Sequence, residues 1–214
     1  MKEKESPDFF IIGGASGVIG TLCYIVSIFF QFSPAIAFLL AMAWPILTVI
    51  FAFSAYQYIS IHHQSISNRL AFIFTVIAFT LVSIMISIQL VVRTGMEGTM
   101  SGKSGAEKDT LLLISHSLRW VDLGVDLAWD LFLGTGLLLL SMALWGHKKF
   151  GIWWSIPLAL LSLILVLTNL ITFPDPPGAA GLFDIGPVIA FFIIVFALRI
   201  VFLGNQLKKT RDFK

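Results

Sequence analysis

The sequence predicts an all-α, polytopic integral membrane protein that forms a bundle of six transmembrane helices. Of its 214 residues, 57% are hydrophobic and only 12% are charged, and the mean hydropathy is +0.93. A chain of this length with so few charges cannot cover a water-exposed surface. Its apolar runs are also longer than the core helices of soluble domains need to be. We therefore expect a single transmembrane domain over residues 1–214.

Each predicted helix is an apolar run of about 20 residues, the length that crosses the bilayer core. The first run follows a short charged segment and is too long for the core of a signal peptide, which predicts a retained first helix. Polar segments rich in glycine or proline separate the runs. The predicted spans are residues 9–30, 34–61, 70–92, 121–145, 152–173 and 185–204.

The connections between these spans differ in length and character. Residues 31–33 are so few that helices one and two must form a tight antiparallel hairpin. The longest connection, Thr94 to Asp109, contains four glycines, a composition typical of a mobile loop. Residues 110–118 are apolar enough for either an interfacial helix or an outward extension of helix four. Residues 146–151 and 174–178 cannot belong to a spanning helix.

The distribution of basic residues predicts the orientation. In a six-helix arrangement, both termini and the second and fourth connections lie on one side of the membrane. These segments hold Lys2, Lys4, Arg69, Lys148, Lys149, Lys208, Lys209, Arg211 and Lys214. The fifth connection, on the other side, has Asp175 and Asp184 and no base. Because loops rich in lysine and arginine stay in the cytoplasm, we expect both termini to be cytoplasmic.

Three aspartates in helix four, Asp122, Asp126 and Asp130, carry the main functional signal. Four-residue spacing advances about 400° around a helix, so the carboxyl groups form one stripe with steps of roughly 6 Å along the axis. Acidic groups at bilayer depth are costly and usually face a bundle interior, a water-filled cavity or an ion path. In the predicted orientation the stripe opens to the outer side of the membrane, with Asp130 about 12 Å deeper than Asp122.

Two further residues of helix four, Arg119 and His116, lie on or beside this acidic face. Arg119 precedes Asp122 by three residues, so a bidentate ion pair would keep that carboxylate charged. Asp126 and Asp130 then have no partner on their own helix. Since desolvation and mutual repulsion both oppose their ionisation, we expect one of the two to carry or share a proton or a cation.

Asn169, near the outer end of helix five, is predicted to line the same outer vestibule. Asp175 and Asp184 lie in the loop above it and would make the mouth attractive to cations. For Asp184 we favour a simpler role as the N-cap of helix six. A purely structural alternative for the acidic stripe is hydrogen bonding across the bundle. The candidate partners are Asn169 and the polar face of helix three, Thr80, Ser83 and Ser87.

Small residues on helix one indicate close packing against a neighbouring helix. They form the patterns Gly13-x-x-x-Gly17 and Ser16-x-x-x-Gly20, which are typical of helix contacts in membranes. The same pattern could support a homo-oligomer through helix one. A nucleotide-binding loop is excluded because no strand precedes these glycines and no Lys-Ser/Thr pair follows them.

Catalytic and cofactor-binding motifs give weak signals. Only His116 shares a side with the acids, and a catalytic metal normally requires three protein ligands in a recognisable spacing. Facing histidines for haem are also missing, so we predict no cofactor. The basic residues form short clusters between apolar runs rather than a patch, which makes nucleic acid an unexpected partner. Enzymatic activity is therefore the less favoured interpretation.

Two functional hypotheses from different classes remain. The first is a small transporter or channel in which the stripe binds protons, cations or a cationic substrate. The second is a non-catalytic sensor or accessory protein whose acids bind a ligand or a partner helix. A membrane enzyme with a His and Asp site is third. Membrane lipid is the expected environment, in the plasma (inner) membrane of a prokaryotic-like cell.

Overall fold

The computed structural model describes residues 6–212, apart from the side chains of His62 and Asp212. Helices make up 84% of the chain, and no strand is present in the described range. The elements are α1 (Pro7–Phe29), α2 (Pro34–His62), α3 (Ile66–Ser87), a π-helical turn (Ile88–Val92), α4 (Arg93–Met100), α5 (Gly105–Leu144), α6 (Ile152–Thr172) and α7 (Gly186–Asp212). Because α3, the π-helical turn and α4 are continuous, residues 6–212 contain six helices long and apolar enough to cross a membrane. The chain has the architecture of a multi-pass membrane protein.

Local sequence signals explain where several helices begin. Proline occupies the start of α1 and of α2, where its missing N–H costs nothing. The hydroxyl of Ser65 accepts a hydrogen bond from the Asn68 N–H at 3.1 Å and caps α3. The carboxylate of Asp184 accepts from the Gly186 N–H at 2.8 Å, which confirms its predicted capping role at the start of α7.

The prediction of a mobile loop over residues 94–109 is wrong. The helix that begins with α3 continues to Met100, α5 begins at Gly105, and only residues 101–104 connect the two. One exposed ion pair lies within α4, Arg93–Glu97 at 2.9 Å, and another joins the connection to the first turn of α5, Lys103–Glu107 at 3.1 Å. Residues 110–118 are therefore an extension of helix four, one of the two predicted alternatives.

The spanning helices form a closed ring. Along the ring, α1 packs against α2, α2 against α3, α3 against α5, and α5 against α6, while α7 packs against α1. Aromatic contacts close the remaining gap between α6 and α7, where the Trp154 ring lies 5.9 Å from that of Phe192 and 5.5 Å from that of Phe196. The arrangement surrounds an interior onto which α2, α3, α5, α6 and α7 all project side chains.

The small face of α1 is used within this ring. A Cβ atom at Gly14 would lie 2.6 Å from the side chain of Val201 and 2.7 Å from the carbonyl of Ala197, both on α7. At Gly20 it would lie 2.9 Å from Leu47 of α2. The predicted close packing of helix one is therefore found inside the protomer. A homo-oligomer through α1 would have to use the opposite face of that helix.

The two ends of the bundle are distinct. At the terminal end, where α1 begins and α7 ends, Lys208 Nζ lies 2.8 Å from Asp8 Oδ1, so the two ends of the described chain lie together. Lys2, Lys4 and Lys214, which contributed to the predicted orientation, lie outside the described residues. We call the opposite end, toward which α5 carries its aspartates, the acidic end.

Candidate functional site

The acidic stripe of Asp122, Asp126 and Asp130 lies where α5 enters the bundle. With 40 residues, α5 is about 60 Å long, twice the thickness of a bilayer core, so its first half extends beyond the bundle together with the π-helical turn and α4. Burial increases along the stripe: Asp122 and Asp126 are half-buried, and Asp130 is 8% exposed. Counted back from Leu144 at the terminal end, Asp130 lies about 21 Å and Asp126 about 27 Å along the axis. Both distances are shorter than the roughly 30 Å thickness of a bilayer core.

Asp130 is held by α6. Its Oδ2 accepts a hydrogen bond from Asn169 Nδ2 at 2.8 Å, and Asn169 also donates to the carbonyl of Leu165 at 2.9 Å. Asn169 is itself buried. This contact is one of the structural partners that the sequence suggested, so the position of Asp130 is fixed from two helices.

Asp126 is arranged differently. Among residues 6–212 it has no side-chain hydrogen bond and no ion pair. It lines a small pocket of about 10 Å³ together with Asn169 and the loop that follows α6, including Pro174, Asp175 and Pro176. The pocket thus brings together Asp126, Asn169 and Asp175, three residues that the sequence assigned to one vestibule. Asp184 also lies within electrostatic range of Asp126.

Asp122 faces a separate groove and not Arg119. Although both residues are described, no ion pair joins them, and Asp122 Oδ2 instead accepts a hydrogen bond from Gln89 Nε2 at 3.2 Å. Asp122 Oδ1 is buried with no hydrogen-bond partner among the described residues. The groove, of about 630 Å³, lies between α5 and the π-helical turn with α4. Arg119 lines it without reaching the acid.

Four aromatic side chains form a layer beside the acidic stripe. We define this aromatic layer as Tyr24, Trp44, Phe79 and Trp129. The Trp44 ring stacks on Tyr24 at 4.0 Å and meets Phe79 and Trp129 edge-on at 5.5 and 6.0 Å. Asp126 and Asp184 lie close enough to act electrostatically on the Tyr24 hydroxyl. Because Trp129 directly precedes Asp130 on α5, the layer lies level with the deeper part of the acidic stripe.

Below this layer, the same face of α5 is paired with α6. Ser162 Oγ donates to the carbonyl of Gly134 at 2.6 Å, and Ser155 Oγ donates to the carbonyl of Ser141. Sequence reasoning missed Ser155 and Ser162. The missed signal is the seven-residue spacing of Ser155, Ser162 and Asn169, which puts one polar row on a single face of α6.

Other predicted partners do not reach the acids. The hydroxyls of Thr80, Ser83 and Ser87 each donate to a carbonyl four residues earlier in α3. His116 is exposed on the extended half of α5, with its ring 6.0 Å from that of Trp120. Within the described residues, no three His, Cys, Asp or Glu side chains are placed to hold a metal ion.

The geometry thus brings Asp126, Asp130 and Asn169 together, leaves Asp122 and Arg119 in the adjoining groove, and leaves His116 outside both. Comparisons with known proteins do not assign the chain to a family. No family model matches the chain, and no curated protein or solved structure is significantly similar to it.

Proposed function

We propose that this protein moves protons or small cations across the membrane, with Asp126 as the exchange site. The observation that carries the proposal is the contrast at bilayer depth between Asp130, which is hydrogen-bonded to Asn169, and Asp126, which has no partner among the described residues. An acid kept at this depth without a structural partner is costly, and such acids generally mark ion paths or proton relays.

The surroundings of Asp126 favour entry from the acidic end. Its pocket includes Asp175, and Asp184 lies close enough to act electrostatically on Asp126, so acidic side chains surround the entrance. A cation or proton arriving there would be attracted before it reached the bundle. From Asp126 the next acceptor is Asp130, roughly 6 Å farther along α5. Asn169 contacts both the pocket and Asp130, which suits a role in passing the ion between them.

In this proposal the acidic end faces the outside and the terminal end faces the cytoplasm. Described bases at the terminal end support that orientation through the positive-inside rule, namely Arg69, Lys148, Lys149, Lys208, Lys209 and Arg211. Arg93, Lys103 and Lys108, at the acidic end, weaken the bias slightly. The membrane would be the plasma membrane.

The test is flux in proteoliposomes. Purified wild type, Asp126→Asn and Asp130→Asn are reconstituted with a pH-sensitive dye inside, and protons, alkali cations and divalent cations are presented in turn. The control is Asp109→Asn, which removes an exposed acid from the extended half of α5 without touching the bundle. We expect flux in the wild type and in Asp109→Asn, and loss of flux in both stripe variants while all four proteins remain folded. Equal flux in Asp126→Asn and wild type would reject the proposal.

The groove at Asp122 favours a second candidate function, binding of a partner or ligand without transport. Its volume of about 630 Å³ lies on the part of α5 that extends beyond the bundle, and its walls carry Arg93, Glu97 and Arg119 as well as Asp122. In that case Asp122→Asn would weaken binding of a basic ligand and leave flux unaffected. The flux assay and a binding assay on the same variants separate the two functions.

A further inference from the structure

Arg199 of α7 carries its charge on the outer surface of the bundle. The exposed apolar residues around it recur every three or four positions and form one stripe, the pattern of a helix face turned toward lipid: Phe191, Val195, Leu198 and Phe202. Arg199 lies four residues after Val195 and three before Phe202, so it borders this stripe. Its guanidinium carbon Cζ lies 5.5 Å from the centre of the Phe202 ring, so the side chain extends toward the terminal end.

The guanidinium of Arg199 has one hydrogen bond and no counter-charge within the described chain. Its Nη2 donates to the carbonyl of Lys149 at 2.9 Å, in the connection between α5 and α6, residues 145–151. Its Nε has no hydrogen-bond partner among the described residues. The one acid with a described side chain at the terminal end, Asp8, is paired with Lys208. Because a charge beside the bilayer core is costly without a partner, this guanidinium favours an anion from its surroundings.

Two lysines extend the positive charge beside Arg199. Lys148 and Lys149 are both exposed, and the carbonyl that Arg199 binds belongs to Lys149 itself. Trp145 begins this connection and Trp153 follows it, with exposed fractions of 59% and 85%. Exposed tryptophan rings at the ends of spanning helices prefer the headgroup level of a bilayer. The two rings therefore place the three bases at the depth of lipid phosphates.

We propose that Arg199, Lys148 and Lys149 bind the headgroup of an anionic phospholipid. The guanidinium presents its N–H donors in a planar fork that matches phosphate oxygens, and each lysine adds a point charge. The apolar stripe that ends at Phe202 offers the acyl chains a surface leading directly to these bases. That continuity favours a lipid over a free phosphate ion. In the orientation proposed above, the site faces the cytoplasmic leaflet, where anionic lipids attract basic segments.

Native mass spectrometry of the purified protein in detergent tests this site. Wild type is titrated with phosphatidylglycerol, with phosphatidylcholine and with inorganic phosphate. One variant is Arg199→Gln, and a second combines Lys148→Gln with Lys149→Gln, which alters only exposed side chains. The matched control is Arg69→Gln, which removes an exposed base at the same end from α3.

We expect the wild type and the control to bind phosphatidylglycerol several-fold more tightly than phosphatidylcholine. Both site variants should lose most of that preference, because the phosphate loses its charged donors. Inorganic phosphate should neither bind nor compete. If Arg199→Gln does not fold, the double lysine variant decides the result.

Equal affinity of the wild type for the two lipids, or an unchanged preference in the site variants, would overturn the inference. So would an equal loss in Arg69→Gln, since the attraction would then belong to the whole terminal end. Competition by inorganic phosphate would also reject a lipid site. The titration involves no ion gradient, so its result is independent of the flux assay and of the proposed function.

Discussion

The two halves of the buried face of α5 differ in how their polar groups are paired with neighbouring helices. Toward the terminal end, Gly134 and Ser141 meet Ser162 and Ser155 of α6, and each of these contacts includes a hydrogen bond between helices. Toward the acidic end, the same face carries carboxyl groups, and Asp126 has no partner within residues 6–212. Asp130 lies at the boundary, bonded to Asn169.

Under the proposed function, this difference separates residues that pack helices from residues that exchange ions along one helix. Contacts between small residues and paired hydroxyls are what hold helices together in a membrane, where no hydrophobic effect drives helices toward each other. An unpaired acid contributes nothing to that packing and costs free energy. We therefore attribute assembly to the Gly134 half of the face and ion exchange to the Asp126 half.

The largest expected effect on stability comes from adding a side chain at Gly134, in the half of the face that packs against α6. A Cβ atom at Gly134 would lie 2.5 Å from Val166 Cγ2, so we expect Gly134→Leu to lower the free energy of unfolding by about 1–3 kcal/mol through overpacking. Gly124, on the same helix, has open space around its Cα. Gly124→Leu should leave stability unchanged or raise it by up to about 1 kcal/mol, because leucine is the better helix former.

Unfolding of both variants in mild detergent, followed by circular dichroism, measures this contrast. Equal destabilisation by the two substitutions would show that α5 is not packed against α6 at Gly134.

A smaller effect on stability is expected at Asp130, which lies between the two halves of the face. Asn169→Leu removes the hydrogen bond to Asp130 and should lower the free energy of unfolding by about 1 kcal/mol, within the range measured for hydrogen bonds between membrane helices. The same substitution in an Asp130→Leu background should cost less, because the bond is already lost. A double-mutant cycle of the four proteins gives this coupling free energy.

Thr168→Val is the control for that cycle, since the Thr168 hydroxyl bonds only to its own helix. A coupling free energy of zero between residues 130 and 169 would contradict the hydrogen bond and, with it, the distinction between Asp130 and Asp126.

The sequence was sufficient for the helix count and for the acidic face, because both follow from apolar length and helical periodicity. It also suggested Asn169 as a partner, since an amide at matching depth on another helix is a natural donor. Asp122 was harder to interpret. Arg119 is close to it along the helix, but Gln89 of the π-helical turn donates a hydrogen bond to Asp122, and sequence spacing says nothing about such contacts between helices.

Two other features depend on tertiary structure. Glycines at positions 95 and 98 predicted a loop, but the helix continues through them to Met100. The aromatic layer joins residues from four helices, and nothing in the spacing of Tyr24, Trp44, Phe79 and Trp129 predicts that they meet.

The central claim is that Asp126 is an exchange site, and carbodiimide labelling tests it most directly. Dicyclohexylcarbodiimide attaches to carboxyl groups in apolar surroundings while they carry a proton, and mass spectrometry identifies the modified residue. The account predicts labelling of Asp126 well above that of the exposed Asp109, with the label declining as the pH or the concentration of the transported cation rises. Labelling of Asp126 no greater than that of Asp109, or unaffected by pH and by every cation, would contradict it.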